Sequence, residues 1–132
     1  MPWIVAIAAF ALVFGGLDAL WLGWAGDNLY RPRIGELLAD SFRLGPAIAF
    51  YSAYVAGVAW FALRPGLAEG PAAAALNGAL LGALCYATYD LTNHATMKVW
   101  PVSITLIDIA WGTFATGAAA TAAVWIARRL AG

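Results

Sequence analysis

Charge is scarce in this chain. Seven basic and seven acidic residues make up 11% of its 132 positions and cancel formally, while 64% of positions are hydrophobic. That balance excludes an ordinary soluble domain and points to a membrane protein. The basic residues are spread along the chain, so no Lys/Arg cluster exists for nucleic acid, which is set aside as a partner. A single cysteine, Cys85, excludes an internal disulfide, and in its apolar stretch it reads as a small core residue rather than a reactive thiol. One histidine and no H-x-x-x-H or E-x-x-H spacing argue against a metal site built from Asp18, Asp90, Asp108 and His94; no metal or cofactor is expected. Neither Ser52 nor Ser103 lies in a nucleophile motif. The stretch MPWIVAIAAFALVFGG lacks a basic leader and a small-residue cleavage site and runs on through Asp18, Trp21 and Trp24, so it reads as a retained first span.

Long apolar runs, by contrast, are plentiful. Four are long enough to cross a bilayer as helices of ~20 residues, near 3–24, 45–64, 73–94 and 102–126. Trp3, Trp24, Trp60, Trp100 and Trp125 fall near their ends, where an amphipathic ring is favoured, and Pro46, Pro65, Pro71 and Pro101 mark their boundaries. The connection 25–44 carries six of the fourteen charged residues and is too polar to span. Within it Ile34, Leu37, Leu38 and Phe42 recur at helical spacing opposite Glu36, Asp40 and Arg43, which predicts a short helix on the membrane surface. Residues 65–72 and 95–101 read as tight turns. The expected fold is all-α: an integral membrane four-helix bundle in one domain, residues 1–132, with a short interfacial helix between spans one and two. Three basic residues on the side of the termini against four on the other leave orientation undecided under the positive-inside rule.

Packing leaves a firmer mark. Ala75, Ala79, Ala83 and Ala87 form a ridge beside a Gly78/Gly82 G-x-x-x-G, and Thr113, Gly117 and Thr121 repeat the spacing in the fourth run. Small residues permit close backbone approach in lipid, so spans three and four are expected to form a hairpin, with homodimerisation as the other use of these ridges.

Depth counting locates the polar groups. Asp18 lies ~9 Å below the end of span one, Asp108 six residues into span four, and Asp90 ~6 Å below the end of span three, at ~1.5 Å per residue. All three fall in one layer near the same interface. Span two adds Tyr51 and Tyr54; span three adds Tyr86 and Asn93 on the face of Asp90, with Tyr89 beside them. Trp21 and Trp111 each follow an aspartate in a D-x-x-W pattern that sets an indole N–H near a carboxylate. Lys98 is the nearby cation, able to reach back from the third loop. Three acids against one base leave at least one carboxyl protonated or holding a cation. Such groups in a membrane face the interior and are functional candidates, although a buried hydrogen-bond network serving only as helix glue would use the same residues.

The run Tyr89-Asp90-Leu91-Thr92-Asn93, then Ala95-Thr96, Lys98 and Trp100-Pro101, resembles the signature of a bacterial family of small four-span inner-membrane proteins classed as a domain of unknown function. Asp18, Trp21 and Gly23, Phe50-Tyr51, Tyr54 and Gly57, and Asp108 with Trp111-Gly112 fit that pattern, which covers nearly the whole chain. The resemblance implies a multi-pass protein of the bacterial inner membrane but no activity, cofactor or partner. Where the family has an apolar residue this chain has His94, a further argument against a metal. The expected function is binding of a small amphiphile, a lipid, fatty-acyl or isoprenoid species, with its head at Asp18, Trp21, Tyr51, Tyr54, Tyr86, Tyr89, Asp90, Asn93, Lys98, Asp108 and Trp111, and its tail along the Ala-rich half. An enzyme or enzyme subunit working on such a lipid, with Asp90 as acid–base candidate, and a structural subunit of a membrane complex are the alternatives.

Overall fold

A chain that faces lipid must satisfy its backbone polar groups internally, and this one does so with four long helices and, among the described residues, no strand. The computed structural model describes residues 2–39 and 43–131. Helix α1 is Pro2–Leu37, α2 is Leu44–Glu69, α3 is Pro71–Thr96 and α4 is Val102–Ala131.

At 36 residues, α1 is about 54 Å long and overshoots a ~30 Å apolar layer. Its α-helical part, Pro2–Ala25, passes into a π turn at Gly26–Tyr30, then into Arg31–Ile34 and a 3-10 turn at Gly35–Leu37. The polar turns expected to form a separate surface helix are therefore helical but joined directly to the first span. Asp27, Asn28, Arg31 and Arg33 are exposed there, with Arg31 Nε 3.1 Å from Asp27 Oδ1. Leu29 and Ile34 bury against Trp100 and Ile104, whereas Leu37 and Leu38 are exposed. Asp40 and Phe42 lie outside the described residues. Arg33 fastens the extension to the start of α4 through a 3.1 Å bond from its Nε to Ser103 Oγ.

The expected turn at 65–72 is also shorter than it reads. Helix α2 runs on to Glu69, α3 begins at Pro71, and Gly70 alone breaks the helix with φ 120° and ψ 170°, a conformation open in practice to glycine only. Proline at the opening of α3 costs nothing because that N–H has no helical partner. The second turn, by contrast, stands where expected, between Thr96 and Val102.

The small-residue ridges close the α3–α4 hairpin. Gly78 faces Ala120 and the Thr116 carbonyl, Gly82 faces the Gly112 carbonyl and Thr116, and Gly117 faces Ala79. Thr113 and Thr121 turn their hydroxyls back onto the Ile109 and Gly117 carbonyls of their own helix, at 2.8 and 2.6 Å. Phe10 and Phe14 of α1, Val58 and Leu63 of α2, and Ala115, Ala119, Ala123 and Val124 of α4 complete one buried core. Helix α2 joins that core from Tyr51 onward. Its first turns leave Leu44, Ile48 and Phe50 exposed.

Candidate functional site

Asp18, Asp90 and Asp108 arrive from α1, α3 and α4 and converge. Asp90 is 0% exposed, and among the described residues neither of its carboxyl oxygens has a hydrogen-bond partner. Its neighbour is the Asp108 carboxyl. Two carboxylates have no donor between them, so this approach becomes a bond only when a proton or a cation sits between the pair.

Asp108 is held from its other side by Tyr30, whose hydroxyl donates to Oδ1. The Tyr30 oxygen in turn accepts the Trp21 indole N–H at 3.0 Å. Trp21 stacks on Trp111, ring centres 4.6 Å apart and planes 8° from parallel. The Asp18 carboxyl lies near the Trp111 indole, whose N–H is buried and closes no hydrogen bond. The two D-x-x-W patterns thus interlock crosswise. The indole of α4 faces the acid of α1, and the indole of α1 reaches the acid of α4 through Tyr30.

Several expected donors serve elsewhere. Tyr51 gives its hydroxyl proton to the Ala11 carbonyl at 2.6 Å, and Tyr54 shares a 2.6 Å bond with Thr116. Neither hydroxyl bonds a carboxyl: Ala11 lies seven residues before Asp18 and Thr116 eight after Asp108, about two turns deeper in the bundle. Tyr86 packs its ring against Gly112. Tyr89 is 59% exposed, set edge-on against Trp100, and lies beside Asn93. Lys98 is exposed, and the one ion pair among the described residues is the Arg31–Asp27 pair. The reach back from the third loop is therefore not made. His94 is tied instead to Thr105, its Nδ1 3.1 Å from the hydroxyl that accepts the Trp100 N–H, also at 3.1 Å.

Three clefts surround this layer and share walls. One of about 310 Å³ runs between α2, α3 and α4 past Phe50, Cys85, Tyr86, Tyr89 and Asp108. A second of about 400 Å³ lies between α1 and α2, with Asp18, Phe50, Tyr51 and Tyr86 on its walls. A third, again about 400 Å³, opens under the α1 extension between Tyr30, Trp100, Asp90 and Asp108. Their walls are mainly apolar, with the acids as the polar groups that converge on them, the usual make-up of a ligand site.

A family described as "Predicted membrane protein (DUF2177)" matches residues 3–125, a stretch that includes all three aspartates. The chain belongs to this family. Nothing among curated proteins and nothing among solved structures matches it. This DUF2177 protein is a membrane protein with four helices long and apolar enough to span. Tyr30, Thr105 and Thr116 are the polar residues of its interior that depth counting passed over. Tyr30 lies past the apolar run, at the end of the π turn Gly26–Tyr30, with its hydroxyl on Asp108.

Proposed function

We propose that this protein binds an amphiphile drawn from the surrounding membrane, in the bacterial inner membrane that the sequence signature implies. The head group sits against Asp90 and Asp108, and the chain lies in the cleft between the first half of α2 and α3. The observation that supports this is that neighbouring clefts share walls. Phe50 and Tyr86 wall both the α1–α2 and the α2–α3 cleft, and Asp108 walls the latter and the cleft that reaches Asp90. The Ala-rich half is not a tail site, because Ala115, Ala119, Ala120 and Ala123 are fully buried in close packing. Acid–base chemistry on the bound molecule is a second reading, favoured by the contact of two carboxyls, one able to hold the proton the other takes.

The test is lipid extraction and mass spectrometry of protein purified in mild detergent. Wild type should carry a discrete amphiphile class that the Asp90→Asn/Asp108→Asn double variant loses while remaining folded. Identical profiles would refute the reading.

A further inference from the structure

The clefts specify more than an amphiphile. We infer that the head group taken at Asp90 and Asp108 is a primary ammonium, an inference that rests on the amphiphile reading above.

The layer is rich in acceptors and poor in donors. Both Asp90 oxygens are buried without a partner, one oxygen of Asp108 already receives Tyr30, and Asp18 adds a third carboxyl. No protein cation answers them. Among the described residues Lys98 is exposed, Arg33 is bonded to Ser103 and the Leu29 carbonyl, and Arg31 pairs with Asp27. The Nδ1 of His94 is taken by Thr105. A buried carboxylate without a partner is costly, and a shared proton or a ligand's cation relieves it. An ammonium head relieves it twice over, bringing a positive charge and three N–H donors for the facing oxygens. A carboxylate or phosphate head would instead add negative charge beside three acids, and a quaternary ammonium would bring charge without a single N–H. Fatty-acyl and isoprenoid phosphate species are thereby removed from the candidate ligands, which leaves long-chain amines and lipids whose head ends in a primary amine.

Access fits this assignment. Asp108, 8% exposed, walls the α2–α3 cleft, and Asp90 forms the inner wall of the cleft below Tyr30 and Trp100. Asp90 is itself 0% exposed, so an ammonium seated at Asp108 reaches it once the side chains over that cleft give way, while its chain stays beside Phe50 and Cys85. The Trp21–Trp111 stack adjoins the site and offers an optical report of occupancy.

The experiment titrates full-length protein in phosphatidylcholine nanodiscs at neutral pH with dodecylamine, dodecyltrimethylammonium, dodecanol and laurate. Binding is read by tryptophan fluorescence, with native mass spectrometry for stoichiometry. Dodecylamine should bind about tenfold or more tightly than the quaternary analogue or the alcohol, the worth of a charged hydrogen bond, and laurate weakest of all. Asp90→Asn should erase that preference, and Asp18→Asn should weaken it less, keeping the test readable if Asp90→Asn fails to fold. Equal binding of dodecylamine and laurate, or of dodecylamine and the quaternary analogue, would overturn the ammonium assignment and leave the amphiphile reading standing. Binding of none of the four would overturn both.

Discussion

Gly82→Leu should leave little folded protein. A Cβ at this position already meets the Gly112 carbonyl and stands 2.9 Å from the Thr116 side chain, before the rest of the leucine is placed. The carbonyl belongs to the backbone of α4 and cannot swing aside, so the hairpin must open. Overpacking a well-filled interior ordinarily costs ~1–3 kcal/mol and occasionally more. Here the whole α3–α4 seam moves, and the loss should exceed the upper end of that range. Thermal unfolding followed by circular dichroism in detergent reads it, with Gly16→Leu as control, since nothing lies within 4 Å of a Cβ there. Equal midpoints for the two variants would show that the seam is not the contact that holds the bundle.

Asp90→Leu should do the opposite to stability and remove ligand binding outright. A hydrogen-bond network kept only to hold helices together loses ~1–3 kcal/mol when a satisfied member is deleted. Asp90, however, has no donor among the described residues and presses on a second carboxyl. Removing a buried carboxyl that has no donor removes its desolvation cost, so the change should be neutral or stabilising. A raised midpoint in ligand-depleted protein, together with lost amphiphile binding, marks Asp90 as a residue retained for binding at a cost in stability. A lowered midpoint with unchanged binding would assign it to architecture.

The bundle was legible in the sequence because lipid allows so few solutions: long apolar runs, interfacial tryptophans and small-residue ridges all record the same constraint. Helix ends were not legible. Polarity marks where a chain leaves the apolar layer, not where its helix stops, so α1 runs to Leu37 and α2 to Glu69 beyond the apolar stretches that announced them. Depth was legible for Asp18, Asp90 and Asp108, since each helical residue advances a fixed rise. Azimuth and partner were not. Tyr51 and Tyr54, expected in the same layer, bond Ala11 and Thr116 instead, about two turns deeper than Asp18 and Asp108. Tyr30 was hidden for another reason. A π turn rotates every side chain after it, and no composition signal in GDNLY announces that rotation. The D-x-x-W patterns show both sides of this. Each indicated an indole beside a carboxylate, and the cross-helix pairing that realises them appears only in three dimensions.

The Asp90 and Asp108 carboxyls meet inside the bundle, and a double-mutant cycle on unfolding stability measures that meeting. Asp90→Asn alone, or Asp108→Asn alone, hands the pair an amide donor and relieves the carboxyl contact, so the second substitution has nothing left to relieve. The two effects should fail to add by ~0.5 kcal/mol or more, whereas additivity within ~0.3–0.5 kcal/mol would show two groups that do not touch.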